Sequence, residues 1–224
     1  MAKASRKGRG AGARSFAKLA GDLAEVGRSF YARGWVLGTS GNFSAVLRRK
    51  PLRLAISPSG ADKGFLAPEA FLEIDDRVQV WRGSGKPSAE ALLHLAVVRA
   101  RGAGAVLHTH SVWSTILSEA FASQGGLSIT GFEMLKGLDG VTTHEHQEWL
   151  PLLENWQDIP TLARELAATL ARHPQAHGFL LRRHGLYTWG KDLAEARRHV
   201  EVLEFLLEVL ARTHGTRSYP GAGS

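Results

Sequence analysis

The stretch VLHTHSVWS, residues 106–114, places two histidines around one threonine, directly after an apolar run. Side chains two residues apart on a β-strand point to the same side of the sheet. His108 and His110 are therefore predicted to direct both imidazoles at one point. Two interpretations stay open from this stretch alone: the pair belongs to a metal site, or it consists of ordinary polar residues at a strand end.

A metal site needs at least one more ligand, and His184 in FLLRRHGLYTWG, residues 179–190, is the strongest candidate. It follows an apolar run and precedes Gly185, which permits a tight turn or a close approach of the backbone. Three imidazoles with one open coordination position are typical of catalytic zinc. All-nitrogen ligation also suits other divalent first-row metals.

A second H-x-H pair, His144 and His146, lies in the polar stretch TTHEHQEW, residues 142–149. No apolar strand precedes it, so we interpret the stretch as a loop with solvated or hydrogen-bonded histidines; a position at the mouth of the site is the alternative. The remaining histidines lie in or beside helical patterns and are interpreted as satisfied or surface residues: His94, His173, His177, His199 and His214.

Composition narrows the class of protein. The 224 residues include no cysteine, which excludes disulfides and thiolate metal ligands. The apolar share of 44% and the charged share of 22% are ordinary for a globular chain, and no apolar run is long enough to span a membrane. The basic N-terminus lacks the apolar segment of a secretory signal. We therefore expect a cytoplasmic enzyme that does not bind membranes.

Most of the net charge of +7 lies in one segment. MAKASRKGRGAGAR, residues 1–14, holds five Lys or Arg side chains and no acid. Its Gly/Ala-rich composition predicts a disordered, solubilising tail, with a nucleic-acid-binding arm as the alternative. No aromatic side chain is present there for base stacking, so no nucleic-acid partner is expected. The predicted organisation is a tail over 1–14, a catalytic domain over 15–214 and a flexible C-terminal tail over 215–224.

Hydrophobic periodicity predicts alternating helices and strands in one domain. Ser88 is the expected N-cap of the third helix. The last helix carries two apolar stripes, which indicates either a subunit contact or a deeper single core. Helices are expected at 16–30, 67–73, 86–102, 112–122, 161–173 and 192–213, and strands at 41–49, 52–60, 76–83, 103–111, 126–130 and in two pieces within 177–190.

Three short stretches, GTSGN (38–42), SPSG (57–60) and KPSAE (86–90), are rich in hydroxyls or glycine. Turns of this kind present several backbone N–H groups and hydroxyls to one anion, and a helix N-terminus adds to this. Each stretch alone is also typical of an ordinary turn. Together they predict a phosphate and substrate shell of Thr39, Ser40, Gly41, Asn42, Ser57, Ser59, Gly60, Lys86 and Ser88.

Two carboxylates are candidates for proton transfer. Glu90 lies in the first turn of its predicted helix, where a helix-dipole partner is the alternative interpretation. Glu133, in GFEML (131–135), has no charged neighbour in sequence until Lys136. A carboxylate in apolar surroundings has a raised pKa and can move protons near neutral pH. A surface acid is the alternative for Glu133.

In this order, GTSGN, SPSG, KPSAE, HTH, EMLKGL and RRHG resemble the class II aldolase/adducin superfamily over about residues 16–212. SPSGADKG, TTHEHQEWLPLLENWQD and HGLYTWG resemble, more narrowly, its methylthioribulose-1-phosphate dehydratase branch in methionine salvage. The resemblance implies an α/β fold: a three-layer α/β/α sandwich with a mixed, largely antiparallel sheet. It also implies one zinc ion (Zn2+) per subunit and a homotetramer.

Carried over by residue, the resemblance makes His108, His110 and His184 the metal ligands and Glu133 the main acid/base, with Glu90 second. The aldolases of the superfamily often carry Ser-Ser-Glu where this chain has Ser88, Ala89 and Glu90, and their acidic residue stands at the Glu90 position. The three hydroxyl-rich stretches become the phosphate shell, although the hydroxyl missing at Ala89 changes its contacts.

The implied reaction starts from 5-methylthioribulose 1-phosphate. Zinc would hold the C2 carbonyl and the C3 hydroxyl, Glu133 would remove the C3 proton, and loss of the C4 hydroxyl would lead to 2,3-diketo-5-methylthiopentyl 1-phosphate. Two alternatives remain at this point. A class II sugar-phosphate aldolase would break the C3–C4 bond instead, and an adducin-like scaffold domain would bind no metal.

Overall fold

The structure is a computed structural model that describes residues 15–217 and the side chains of residues 15–213. The tail predicted at 1–14 and residues 218–224 of the predicted C-terminal tail lie outside the described residues, as does the side chain of His214. The helices are α1 (Phe16–Ala32), α2 (Ala91–Arg101), α3 (Val112–Ala120), α4 (Ile159–Arg172) and α5 (Leu193–Arg217). The strands are β1 (Asn42–Arg49), β2 (Leu52–Ile56), β3 (Leu72–Asp75), β4 (Val80–Arg82), β5 (Ala105–Thr109), β6 (Gly126–Ile129), β7 (Glu148–Leu153), β8 (Gly178–Leu181) and β9 (Gly185–Gly190).

The nine strands form one sheet in the order β4-β3-β2-β1-β5-β9-β8-β7-β6. Every neighbouring pair is antiparallel except β7 and β8. Helices cover both faces: Val106 of β5 packs into the cluster that contains α2 and α4, whereas Ala105 and Leu107 pack with α1 and α5. The predicted mixed, largely antiparallel α/β/α sandwich is therefore confirmed.

Strand β5 lies in the middle of the sheet and is buried along its whole length. Its antiparallel partners are β1 and β9, so the C-terminal end of β5 meets the beginnings of both. His108 pairs with Asn42 on one side and with Tyr187 on the other. Three chain segments that are distant in sequence consequently meet at one end of β5.

Some element predictions need correction. The helix expected at 67–73 is only a 3-10 turn at Pro68–Ala70, because the next residues enter β3. The strand expected at 76–83 is three residues long. Glu90, not Ser88, occupies the N-cap of α2; the Ser88 hydroxyl accepts a hydrogen bond from the Glu90 backbone N–H instead.

The long helix α5 extends to Arg217, three residues beyond the predicted domain boundary. Its leucine stripe is buried against α3 and the sheet, and Val202 is buried as well. Phe205, from the second stripe, is exposed. Within the described part of the chain, no helix is both long and apolar enough to cross a membrane.

Candidate metal centre and its cavity

Three imidazoles meet at the end of β5. The Nε2 atom of His110 lies 2.8 Å from Nε2 of His108 and 3.1 Å from Nε2 of His184, and the remaining Nε2–Nε2 distance is 3.3 Å. His108 is buried, while the other two are partly exposed. The fold therefore brings together the three histidines that the sequence singled out.

The opposite ring nitrogens determine where the protons are. Nδ1–H of His108 donates to the Leu186 carbonyl oxygen at 3.0 Å, since a carbonyl can only accept. Nδ1–H of His184 donates to Asn155 Oδ1 at 3.1 Å. In neutral rings Nε2 then carries a lone pair in both histidines, and two lone pairs 3.3 Å apart cannot form a hydrogen bond. The cluster fits a cation bound between the nitrogens, because metal-bound histidines hold their other N–H in this way.

The protonation states agree with this interpretation. Burial, together with the neighbouring imidazoles, holds the pKa of His108 well below its usual value. Burial also lowers the pKa of His110 to about 3, and the charge of His184 contributes. Both rings are neutral at pH 7, as metal ligation requires.

Two glycines allow the strands to come this close. A Cβ atom on Gly185 would lie 2.0 Å from the backbone oxygen of Thr109, so only glycine fits directly after His184. Gly41 has a φ of +72°, and a Cβ there would lie 2.7 Å from the backbone oxygen of His108. The backbone around the imidazoles is packed too tightly for any other residue at these positions.

Glu90 is the carboxylate beside the imidazoles. Its Oε2 atom lies 3.6 Å from His108 Nε2, and its Oε1 atom lies 3.5 Å from His184 Nε2. The amide of Asn42 donates to Oε2 at 2.6 Å. One carboxylate oxygen is therefore engaged by Asn42, while Oε1 faces the His184 imidazole.

A chain of hydrogen bonds supports Asn42 from behind. Its Oδ1 atom can only accept, so Nε2–H of the buried His94 donates to it, and the Ser44 hydroxyl donates to Nδ1 of His94 at 2.7 Å. Burial lowers the pKa of His94 to about 3, in agreement with this neutral ring. The interpretation of His94 as a satisfied histidine is confirmed, and its function is to hold the amide that binds Glu90.

The imidazoles and Glu90 open into a cavity of about 320 Å³. Seven of the nine residues predicted for the phosphate and substrate shell line it: Thr39, Ser40, Gly41, Asn42, Ser59, Gly60 and Ser88. Ser57 and Lys86 do not. Ser57 is buried, where its hydroxyl accepts from the Phe43 backbone N–H, and Lys86 is exposed, with its backbone oxygen bound to the Ser59 N–H.

Within one chain, Glu133 lies away from the cavity that contains Glu90 and the imidazoles. It stands on a 3-10 turn at Glu133–Gly137 with its side chain 74% exposed, and it does not line the cavity. Lys136 donates to it at 2.8 Å, which lowers the pKa of the carboxyl group. The expectation of apolar surroundings and a raised pKa is wrong, because Glu133 projects into solvent beside Lys136, and Leu135 is the residue of this turn that packs into the protein.

The second H-x-H pair does not join the first. His144 is exposed, 3.9 Å from Glu133. His146 lies 2.9 Å from the buried carboxylate of Glu148, which also binds His177 at 2.9 Å. The other nitrogen of His177 donates to the Asp139 carbonyl, so both of its nitrogens carry hydrogens and the ring is an imidazolium. A buried ion pair accounts for this cluster without a metal.

Seven further lining residues were not among the predicted shell: Pro58, Lys63, Ala89, Asn155, Trp156, Gln157 and Ile159. Pro58 and Ala89 lie within SPSG and KPSAE, whereas the last four belong to residues 154–159, the connection that follows β7 and the first residue of α4. Their only signal in the sequence is the polar run ENWQD between apolar segments. Lys63 follows SPSG by three residues, and nothing in the stretch reveals that its side chain is buried.

Comparisons with known proteins agree with the fold and show the family. The family model for the class II aldolase and adducin N-terminal domain matches residues 21–211. A methylthioribulose-1-phosphate dehydratase from Methylococcus capsulatus is 44% identical over 90% of this chain and 97% of its own length. Another from Marinobacter nauticus is 41% identical with the same coverage. The structure of an L-fuculose-1-phosphate aldolase from Thermus thermophilus is 26% identical with a TM-score of 0.71, covering 92% of this chain and all of that one.

Proposed function

The chain belongs to the class II aldolase and adducin family, and from that premise we propose that it is a lyase that dehydrates 5-methylthioribulose 1-phosphate to 2,3-diketo-5-methylthiopentyl 1-phosphate. The dehydratases with more than 40% identity over nine tenths of the chain support this reaction. One structural observation carries the chemistry: three imidazole Nε2 atoms converge within 3.3 Å of one another, beside a carboxylate and in a cavity rich in hydrogen-bond donors.

We assign one zinc ion per subunit to His108, His110 and His184. Neutral nitrogen ligands and a cysteine-free chain suit zinc, although the same ligands accept neighbouring metals of the first row. A bound ion of this kind supplies Lewis acidity, which makes a C–H bond next to a coordinated carbonyl more acidic.

The substrate also needs a base for the C3 proton and an acid for the departing C4 hydroxyl. Glu90 is one such group, because Oε1 faces the imidazoles while Oε2 is held by Asn42. We keep Glu133 as the main acid/base, on the condition that a neighbouring subunit carries it to the cavity. From its own chain, Glu133 does not line the site.

A homotetramer would supply that neighbour. Glu133 lies on a turn packed against α5, and α5 packs against α3. All three elements expose large apolar side chains, which are Met134, Phe205, Val112 and Ile116. Such exposure around a functional carboxylate favours a subunit contact, and it supports the interpretation of the second apolar stripe of α5 as an interface.

The methylthio group requires an apolar surface, and the connection after β7 together with the first residue of α4 supplies one. Trp156 and Ile159 are the large apolar side chains of the cavity wall. The Trp156 indole N–H donates to Glu165 of α4 at 2.9 Å, which holds the ring at the rim. We propose that the thioether end of the substrate lies against these two side chains.

Cleavage of a sugar phosphate remains the second candidate, because Glu90 is the only acid among the residues that line the cavity in the described chain. Product analysis separates the two reactions. A diketone that keeps all five backbone carbons supports dehydration, whereas a two- or three-carbon fragment supports the aldolase. A metal-free scaffold would show neither product and no bound metal. A cytoplasmic location stays a prediction.

A further inference from the structure

Lys63 combines deep burial with a place on the cavity wall. Its side chain is 1% exposed, yet it lines the same cavity as Glu90 and His110. Nζ donates to the backbone oxygen of Thr39 at 3.0 Å and to that of Ala61 at 2.5 Å. These two acceptors belong to the GTSGN stretch and to the residue after SPSG, so one ammonium group joins the two loops predicted to bind an anion.

The hydrogen-bond count of this ammonium is incomplete. A protonated lysine has three N–H donors, and two of them are used by backbone oxygens. Within residues 15–213, no carboxylate lies within 4 Å of Nζ; the neighbouring Asp62 carboxylate instead accepts from the Gly64 backbone N–H. Burial lowers the pKa of Lys63 to about 8, against the smaller opposing effect of the Asp62 charge, so the group is still mostly charged at pH 7. A buried cation with no anion in direct contact is costly, and a bound anionic ligand would offset that cost.

The lining of the cavity shows what such a ligand would be. Lys63 is the sole Lys or Arg among the described lining residues, whereas hydroxyls and backbone N–H groups are abundant around it. A phosphate group carries close to two negative charges at neutral pH and accepts several hydrogen bonds. The cavity therefore has one cation and many neutral donors for one phosphate.

We propose that Lys63 is the cation that binds the phosphate group of the substrate, and that it sets the preference of the site for phosphorylated ligands. This inference rests on the proposed function for the identity of the substrate, but not for the presence of an anion subsite. The inference gives Lys63 the phosphate-binding role that the sequence pattern predicted for Lys86. The side chain of Lys86 is exposed and does not line the cavity.

The probe is inorganic phosphate, titrated calorimetrically into the metal-loaded protein. Lys63→Gln keeps an amide that can donate to the loop oxygens but removes the charge, and Lys18→Gln removes an exposed lysine on α1 as the matched control. We expect Lys63→Gln to weaken phosphate binding roughly 10- to 100-fold, the usual effect of a lost charged hydrogen bond, with full metal content. Lys18→Gln should bind as the unaltered protein does. Equal phosphate affinity in a folded, metal-loaded Lys63→Gln protein overturns the proposal, as does an unaltered protein that does not bind phosphate.

A second measurement uses the unaltered holoenzyme and does not depend on the folding of a variant. Reductive methylation, followed residue by residue by mass spectrometry, should slow at Lys63 when phosphate is present and stay constant at Lys18. Equal rates at Lys63 with and without phosphate contradict the proposal.

Turnover measurements distinguish a failure of this inference from a failure of the proposed function. If the dehydratase assignment holds, Lys63→Gln raises KM for the phosphorylated substrate and changes kcat little, because the phosphate binds equally in the ground and transition states. A protein that binds phosphate through Lys63 without forming the diketone would support the subsite and remove the reaction.

Discussion

Thr109 donates its hydroxyl hydrogen to the buried carboxyl group of Glu204 on α5, on the side of β5 opposite to the metal-facing imidazoles. Because Thr109 stands between His108 and His110, this contact fixes the end of β5 from which both imidazoles project. No Lys or Arg of the described residues lies within ion-pair distance of Glu204, and burial raises its pKa to about 7. The support behind the metal site is therefore a carboxylic acid that loses its proton near neutral pH.

Glu204→Gln is predicted to change how stability depends on pH. The folded-state pKa of about 7 exceeds the unfolded value near 4.5, so wild-type stability falls as pH rises from about 4.5 to 7. The glutamine side chain does not ionise. Relative to wild type, the variant should gain about 3 kcal/mol of unfolding free energy between pH 4.5 and 8, measured by urea unfolding of metal-depleted protein. Glu25→Gln, at an exposed position on α1, should show no such trend; a parallel trend in both variants would refute the explanation.

Each of the changes His108→Ala, His110→Ala and His184→Ala is predicted to lower bound metal and turnover together, because the remaining two imidazoles leave the ion with too few ligands. Metal content by mass spectrometry of the purified protein checks this. The control is His144→Ala, an exposed histidine of the second H-x-H pair, which should keep full metal. Loss of metal in the control but not in the three site variants would disprove the ligand assignment.

Glutamine variants distinguish the proposed roles of Glu133 and Glu90 in proton transfer. Glu133→Gln should slow turnover by roughly 10²–10⁴-fold with full metal content, and Glu90→Gln should have a smaller effect. Exchange of the C3 proton with deuterated solvent should vanish in Glu133→Gln and persist in Glu145→Gln, a control on an exposed loop. Exchange that survives in Glu133→Gln and disappears in Glu90→Gln identifies Glu90 as the base.

A mixing experiment tests whether Glu133 acts between subunits. Glu133→Gln and His184→Ala proteins are each expected to be inactive alone. Refolded together, they should recover part of the activity, because mixed assemblies contain sites with both an intact metal centre and an intact Glu133. Recovery of no activity from verified mixed assemblies would place both groups in one subunit or remove Glu133 from the site.

The Glu148–His177 ion pair predicts a second pH dependence. Burial opposes both charges, but the contact with the Glu148 carboxylate outweighs it and raises the pKa of His177, and the same contact lowers the pKa of Glu148. The His177 contribution to stability is complete below its unfolded pKa of about 6.5 and is lost as pH rises through the folded value; the Glu148 contribution is lost in acid. His177→Gln should therefore cost most, about 3 kcal/mol, near pH 5–6 and less at pH 9. Chemical unfolding across this range, with His173→Gln as control, provides the measurement.

Trp156→Ala is predicted to weaken recognition of one part of the substrate, the methylthio group. Loss of the indole surface should lower kcat/KM for the methylthio substrate roughly tenfold or more, and should hardly change it for the analogue without the methylthio group. Trp81→Ala, an exposed tryptophan on β4 that does not line the cavity, is the control. An equal loss for both substrates would mean that Trp156 shapes the cavity in general and does not recognise the thioether.

The features of the candidate site that depend only on neighbouring residues could be predicted from the sequence. The H-x-H pair followed an apolar run, and Gly185 followed His184, so the strand ends that hold the imidazoles could be expected from a few neighbouring residues. Strand β7 was missed because it begins at a polar glutamate and contains Pro151, which argues against a strand inside a sheet. Pro151 is nevertheless accommodated in β7, between β6 and β8. The pairing register of these strands allows it, and this register cannot be deduced from the sequence.

Contacts over long sequence distances could not be predicted. Lys63 is buried between two loops that are more than 20 residues apart in sequence, and each loop supplies one acceptor. Asn155 reaches His184 from a connection whose only signal in the sequence is a polar run. The surroundings of Glu133 were mispredicted for the same reason: the direction of a side chain on a short turn depends on what packs beneath it. The residue types of the candidate site could be identified from the sequence, whereas their surroundings follow only from the three-dimensional fold.

The connection between β7 and α4 has an evolutionary consequence. Asn155 orients a metal-binding imidazole, and its neighbour Trp156 forms the wall proposed for the variable end of the substrate. A mutation that reshapes this wall for a new substrate acts one residue away from the group that maintains the metal ligand. Insertions or deletions here would alter selectivity and cofactor retention at once, so new specificities in this lineage should arise by point replacement at 156 and 159, with the spacing to Asn155 preserved.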